Sequence, residues 1–582
     1  MKKQTKSDKS KILENMKKTT KYMKGLKKYL ILYVFIAILE GVVGVIYPII
    51  SAKVILNITD KIINQLILTS LVVLSLDVFQ SFLTLLKNIS YRKIYQSTTA
   101  NLQTEMFKET LKLEISEIDK QSSGLFIDRL NKDSQDISSM FMELSYWLTK
   151  IMSNIGVLIA IFILNKYLFL YALFTSIFIF LISKRRVNKE SNFRRGIRKL
   201  NEDKTGLVSE SIRGIRDIKV LNANDNLTNQ TVKKIREVMK EEMKLYFTNS
   251  SYNAAETVAK SITEFLFIML GIILYNKGSL TIPSFIIAYH YQPRIRNLLV
   301  GLSYLMDYLK QFEISSDRIY EIIDSDKFKK EQFGTKEVKK LDGYIEFKNV
   351  SFGYENDKKI IDNMNFKVNP NEKVAFVGKS GAGKSTLFSL IAKLYPVDKG
   401  NILLDGININ DLTCSSLRDN ISIITQSPYI FNFTIKENLL IAKADASMKE
   451  IREACKLACI DEYIMSLPKK YDTLIGENGV ILSGGQKQRL AIARALLMKT
   501  EIILFDEATS ALDNETQKDI SKAIENLKGD YTILIVAHRL STVIDCDKIF
   551  VVDNGKIIDV GTHDELIKKS ELYKKLYEGE LI

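Results

Sequence analysis

The first 310 residues hold six apolar stretches, near 29–51, 63–86, 141–164, 167–184, 252–275 and 281–308, each close to the length that crosses a bilayer. A membrane-crossing helix needs about 20 mostly apolar residues, because its backbone polar groups must be satisfied within the segment. The second half reads differently, as a soluble α/β domain. At 582 residues the chain is too long for one core, and this division supplies two.

The formal net charge of +15 raises nucleic acid as a partner. The placement of the charge gives a better explanation. Lys and Arg concentrate before the first stretch, between the second and third, and between the fourth and fifth, as cytoplasmic flanks do. Residues 184–204, KRRVNKESNFRRGIRKLNEDK, are the densest such block. No nucleic-acid partner is expected. The N-terminus is then cytoplasmic, and the loops 87–140 and 185–251 face inward. The connections near 52–61, 165–166 and 276–280 face outward. The two long inner loops have helical periodicity and should continue the spans beyond the bilayer. The basic N-terminus lacks the small-residue cleavage site of a secretory signal. The four cysteines, Cys414, Cys455, Cys459 and Cys546, all lie in the soluble half. They have no metal-ligand spacing to His538 or His563, so reduced structural thiols are expected.

Near 325–342, SDKFKKEQFGTKEVKKLD is polar and aperiodic, a linker. The expected division is therefore a basic N-terminus at 1–28, a membrane domain at 29–325, a linker at 326–342 and a soluble domain at 343–582. In the last, short β-rich runs (YIEFKNVSF, KVAFVG, NILLDG, ISIIT, EIILFDE, TILIVAH, KIFVVD) alternate with helical patterns. That alternation predicts an α/β domain with a largely parallel sheet.

KVAFVGKSGAGKSTL reads as strand, glycine loop and helix. Gly378, Gly383, Lys384 and Ser385 fit G-x-x-x-x-G-K-[ST], the phosphate-cradling loop. Glycine lets backbone N–H groups turn toward phosphate oxygens, and the following helix presents its positive end to the same anion. EIILFDE then places Asp506 and Glu507 at the C-terminal end of a buried strand, where ligands bind in open α/β sheets. Asp506 is placed to orient a Mg²⁺ shell beside Ser385. Glu507 is placed to polarise an attacking water.

With LSGGQKQR at 482–489 added, the chain resembles the ATP-binding cassette (ABC) proteins, and over residues 20–580 an exporter half-transporter of that family. The resemblance implies an all-α six-helix transmembrane domain, followed by an α/β P-loop ATPase domain with a mixed sheet and a helical subdomain. ATP would lie on Gly378, Lys379, Ser380, Gly381, Ala382, Gly383, Lys384, Ser385 and Thr386, with Tyr354 of SFGYE stacking on adenine. Mg²⁺ would be met by Ser385, Gln426 of ITQSP and Asp506. Catalysis would rest on Glu507, His538 and Gln426. TLIGENG at 473–479 resembles the exporter-specific loop, and Asp513 closes the D-loop SALD. SSGLFIDRLNKD at 122–133 and SESIRGIRDIKVL at 209–221 resemble the two loops that couple the domains. One departure is Pro293, which sits early in the sixth span.

In this family ATP held by one chain's phosphate loop is covered by the other chain's signature loop. Ser483, Gly484, Gly485 and Gln486 would therefore serve a partner's ATP. One chain carries half of each site, which implies a dimer. Glu507, Ser483, Gly485 and His538 all match the family consensus, which favours a homodimer over a heterodimer. Import on the same scaffold, or a gate that hydrolyses ATP without pumping, are the alternative functions.

Ionisable side chains within spans cost about 2.5–3.5 kcal/mol each on insertion scales and mark function by default. Glu40, Asp77, Lys150, Glu256, Lys260, Glu264, His290, Arg294 and Arg296 are the candidates for a cargo cavity. Both signs occur, so either a charged or amphipathic cargo contacts them or they pair among themselves. No peptidase-like domain is expected ahead of the first span. The Lys-, Ile- and Asn-rich composition suggests a bacterial cytoplasmic membrane.

Overall fold

A computed structural model describes the chain except for residues 1–3, 60–61, 122, 325–326, 355–358, 477–478, 507–521, 526, 538–539 and 581–582. It divides into two compact units. The first comprises Met1–Lys112 and Ser122–Phe328, and the second Leu113–Gln121 and Lys329–Ile582.

The first unit is entirely helical. Its helices are α1 (Gln4–Thr20), α2 (Lys27–Thr59) and α3 (Ile63–Thr110). A short α4 (Ile115–Asp119) belongs to the second unit. The bundle resumes with α5 (Ser123–Asp128), α6 (Ser134–Leu164), α7 (Lys166–Arg213), α8 (Ile215–Val220), α9 (Asn224–Asn276) and α10 (Ile282–Ile323). Six long helices thus occupy the six apolar stretches. They extend well past them, as the helical periodicity of the inner loops predicts. At 1.5 Å per residue, the 48 residues of α3 span roughly 70 Å, against a hydrocarbon core of about 30 Å.

Four of the six (α2, α3, α7 and α9) are long and apolar enough to cross a membrane by length and composition among the described residues. The sixth, α10, is diluted by His290, Gln292, Arg294 and Arg296. Ile67, Leu71, Leu74 and Val78 recur at helical spacing on α3 and are exposed, an apolar stripe suited to lipid. Inside, Val157 and Ile161 of α6, Leu168 and Ala172 of α7, Phe267 of α9, and Tyr291 and Ile295 of α10 form one buried cluster. The basic N-terminal stretch is more than a charged flank. On α1, Asn15 Nδ2 donates to Ser316 Oγ at 2.9 Å, and Lys11 pairs with Asp317 at 2.7 Å on α10.

Among the described residues the second unit has ten strands. They are β1 (Ile345–Phe352), β2 (Ile361–Val368), β3 (Lys373–Val377), β4 (Lys399–Leu404), β5 (Ile407–Asn408), β6 (Ile421–Ile424), β7 (Ile502–Asp506), β8 (Thr532–Val536), β9 (Lys548–Asp553) and β10 (Lys556–Gly561). A four-stranded antiparallel sheet runs β2-β1-β4-β5. A six-stranded sheet runs β10-β9-β3-β8-β7-β6, parallel except for β10. Fully buried β3 and β8 read as continuous apolar runs because both faces of that sheet are covered.

Around the sheets lie α11 (Lys384–Ile391), α12 (Cys414–Arg418), α13 (Ile435–Leu440), α14 (Met448–Leu457), α15 (Asp461–Ser466) and α16 (Gly484–Met498). Capping boxes at Thr434, Ser447 and Ser483 start α13, α14 and α16. α13 to α16 form the helical part, with Ile451 and Cys455 of α14 in one core with Leu490 and Ala493 of α16. The expected linker is irregular yet tied down. Gly334 N donates to Leu412 O, and Lys336 N to Asp411 O, both at 2.9 Å.

Candidate functional site

The order β3-β8-β7-β6 sets four parallel strands side by side, so their C-terminal ends share one sheet edge. Gly378 follows β3, Ala537 follows β8, Asp506 ends β7 and Gln426 lies two residues past β6. Residues scattered over 160 positions of sequence thereby meet where open parallel sheets bind ligands.

The loop from Gly378 to Gly383 carries β3 into α11. A Cβ at Gly378 would stand 2.1 Å from the Val552 carbonyl oxygen, so only glycine lets the loop pass β9. Gly383 caps α11 at φ +96°, a left-handed conformation that side chains resist. Lys384 is buried, and its Nζ donates to the carbonyls of Gly378 and Lys379, both at 2.9 Å. The ammonium is thus held across the mouth of the loop, where a phosphate oxygen can take over from a carbonyl. Ser385 Oγ donates to Asp506 Oδ1 at 2.7 Å. A hydroxyl and a carboxylate side by side suit a hard cation such as Mg²⁺, which keeps most of its shell as water and phosphate oxygens. No cluster of three His, Cys, Asp or Glu suited to a metal occurs among the described residues.

Tyr354 is half exposed, and its hydroxyl lies 3.3 Å from Thr386 Oγ1 on α11. Its ring meets Tyr395 edge-on, with centroids 5.1 Å apart. Tyr395 in turn donates to Asp119 of α4. Burial and that carboxylate push the Tyr395 phenol above its ordinary range. Sequence reading missed Tyr395, because nothing local links residue 395 to residue 119.

Ser483 caps α16. Its Oγ accepts from Gln486 N at 3.3 Å, while Gln486 Oε1 accepts from Ser483 N at 2.8 Å. Gly484 is exposed and Gly485 buried in the first turn. Gln488 Nε2 of the same helix donates to Gln426 O at 2.9 Å, tying the signature helix to the loop after β6. Arg494 holds the Asn438 and Tyr429 carbonyls, and burial lowers its pKa. Lys379, Ser380, Gly381 and Ala382 complete the loop as expected from contiguity. Glu507, Asp513 and His538 lie outside the described residues, as do residues 477–478 of the exporter-type loop.

In the helical unit, a cavity of about 460 Å³ lies among α2, α3, α6 and α10. Three of the nine candidate charges line it: Glu40, Lys150 and Arg294. Lys87, which falls just past the second apolar stretch, lines it too and pairs with Glu40. The other six lie outside this cavity. Glu256 pairs with Lys260 at 2.9 Å and with Arg186 at 3.2 Å, and Glu264 lies 3.5 Å from Arg296. Asp77 and His290 are exposed.

Known proteins resemble this chain over both its units. Residues 361–510 match the ABC transporter family, and residues 30–295 match the ABC transporter transmembrane region. The chain is 33% identical to a putative multidrug export ATP-binding/permease protein of Bacillus subtilis, over 97% of this chain and 98% of that one. It is 32% identical to an ATP-dependent lipid A-core flippase of Photobacterium profundum, over 82% of each chain. Among solved structures, an ATP-bound bacterial Atm1-family ABC exporter is similar with TM-score 0.84 and 25% identity, covering 96% of this chain and 99% of that chain.

Proposed function

Because this chain belongs to the ABC transporter family, with its membrane domain and ATPase domain fused in one polypeptide, we propose that it is an ATP-driven exporter of an amphipathic or charged compound. The observation that carries this reading is one constellation. Lys384 spans the loop carbonyls, and Ser385 lies 2.7 Å from Asp506, in a chain whose helical unit encloses a polar and aromatic cavity. An ATPase site fused to a membrane cavity suits a pump.

The chain's residues divide the work. Gly378 to Thr386 wrap the phosphates, Lys384 neutralises them and Tyr354 stacks on the base. Ser385, Asp506 and Gln426 would hold Mg²⁺, which would neutralise charge on the phosphates. Glu507 would orient the attacking water, and His538 would act on the γ-phosphate. Ser483 to Gln486 would cover the ATP of a second copy, with Asp513 as the D-loop residue, so that two chains complete two sites. Closure on ATP and reopening after hydrolysis switch the membrane helices between two states. The chain lies in the cytoplasmic membrane, with its N-terminus and ATPase unit inside. A bacterial source fits the composition.

The test compares compounds in spent medium and in cell extracts, from cells carrying the wild-type chain or Glu507→Gln. A compound that leaves the medium and accumulates inside in the variant is the expected result. A compound left unused in the medium by the variant would instead mean import, and the export reading would be withdrawn.

A further inference from the structure

The cavity in the helical unit has an uneven charge account. Its lining includes three cations, Lys87, Lys150 and Arg294, and one carboxylate, Glu40. Glu40 is already engaged on both oxygens, accepting from Lys87 and, at 2.9 Å, from Thr84 Oγ1. Among the described residues neither Lys150 nor Arg294 has a carboxylate partner. Arg294 donates to the Gly44 carbonyl, which fixes the guanidinium but leaves its charge uncompensated. Lys150 Nζ lies 5.4 Å from the Tyr146 ring centroid, a contact that orients an ammonium without neutralising it. Glu143, two turns back on α6, lies outside the lining and makes no ion pair with Lys150 among the described residues. Of the acids elsewhere in the spans, Glu256 pairs with Arg186 and Lys260 and Glu264 with Arg296, while Asp77 is exposed on α3 and lines no part of the cavity.

The same wall is aromatic. Tyr33, Tyr146 and Trp147 line the cavity beside the cations. Trp147 packs on the backbone of α10 where Gly301 leaves room, since a Cβ there would stand 1.8 Å from its ring. Its indole N–H is buried without an acceptor among the described residues. A buried donor without an acceptor is costly.

From this juxtaposition we infer that the cavity takes an anionic amphiphile, its acid group on Lys150 and Arg294 and its apolar body against Tyr33, Tyr146 and Trp147. A phosphate or carboxylate headed by an alkyl or aromatic body fits; a quaternary ammonium of the same shape meets uncompensated positive charge. The inference names the cargo class for the export reading and rests on it for the word cargo. Binding itself requires no turnover.

The chain has a single tryptophan, Trp147, so its fluorescence reports this cavity alone. Full-length chain in phospholipid vesicles, without ATP, is titrated with dodecyl phosphate and with dodecyltrimethylammonium, each carrying a nitroxide on the tail. The phosphate probe should quench saturably at about tenfold lower concentration, the worth of one charge-assisted hydrogen bond. Lys150→Gln and Arg294→Gln should each remove most of that preference, and Lys150→Arg should keep it. Equal or stronger quenching by the ammonium probe overturns the proposal, as does an unchanged preference in both Gln variants. If either Gln variant fails to fold, the contrast between Lys150→Arg and Lys150→Met decides. Inorganic phosphate should fail to displace the bound probe. If it competes as well as unlabelled dodecyl phosphate, the site takes a free anion and the amphiphile is wrong. Failure of the export reading would look different, as preserved anion preference without ATP-dependent movement of any compound.

Discussion

The loops at 378–385 and 483–486 each deliver a helix N-terminus, of α11 and of α16, but only the first is accounted for by its own chain. Gly378 must be glycine to pass the Val552 carbonyl, and Gly383 must be glycine to hold φ +96°. Lys384 and Ser385 have in-chain partners. In the second loop, Ser483 and Gln486 merely cap each other. Gly484 is exposed and already helical, a place where glycine weakens a helix by up to about 1 kcal/mol relative to alanine. A residue that its own fold would rather replace points to a requirement outside the fold. The difference supports the proposal that the first loop binds within its own chain and the second serves a neighbouring chain.

The sharpest way to break that comparison is to damage the two loops separately. Lys384→Ala removes the charge that faces the phosphates. Gly484→Asp places a carboxylate at an exposed helix N-terminus, where it repels the partner's γ-phosphate. Each variant alone should lose hydrolysis on the order of 10²- to 10³-fold, the scale of removing one donor from developing charge. Co-expressed, the two chains should recover about a quarter of wild-type turnover, because half of the dimers are mixed and each mixed dimer retains one sound site. ATPase assays on the purified mixture check this. No recovery would mean that the two loops serve the same chain.

A smaller effect separates fold from function. Gly378→Ala forces a Cβ to within 2.1 Å of a backbone oxygen and should destabilise the ATPase unit by about 1–3 kcal/mol. Gly484→Asp puts an acid in the first turn of α16, which the helix dipole favours by about 0.3–1 kcal/mol. Thermal unfolding should therefore fall in the first variant and hold or rise in the second, although both lose activity. A drop in both would show that the signature glycines are structural after all.

The same contrast explains what could be read from sequence. The phosphate loop is contiguous, so its motif carries its geometry. Asp506 was legible because an apolar run ends on it. β2 was not foreseen because Asn363 and Asn365 interrupt its apolar pattern, though Ile361, Met364, Phe366 and Val368 are buried in the core. β10 was missed as an edge strand with only partial burial. In the membrane unit, the Glu256–Lys260 pair sits one helical turn apart and could be anticipated. The Glu40–Lys87 pair joins residues 47 apart on two helices, so only packing reveals it. That pair leaves Lys150 and Arg294 as the cavity's unbalanced charges, a sign that sequence alone left open.

The smallest expected effect asks whether the signature side of the ATPase unit is as firmly packed as the phosphate side. Cys455 lies on α14 against α16, and Cys546 lies just before β9 of the six-stranded sheet; both are buried. Burial pushes both thiols up to about 12. At pH 8 that leaves about one thiolate in ten thousand at either site, so both should resist a maleimide. Cys414 and Cys459 are partly exposed and should be modified first. Mass spectrometry of peptides after timed labelling should find Cys455 and Cys546 equally protected. Faster labelling of Cys455 than of Cys546 would show that α14 and α16 open apart from the sheet. The signature loop would then reach its partner by local motion, and the rigid cap at Ser483 would no longer set where Gly484 points.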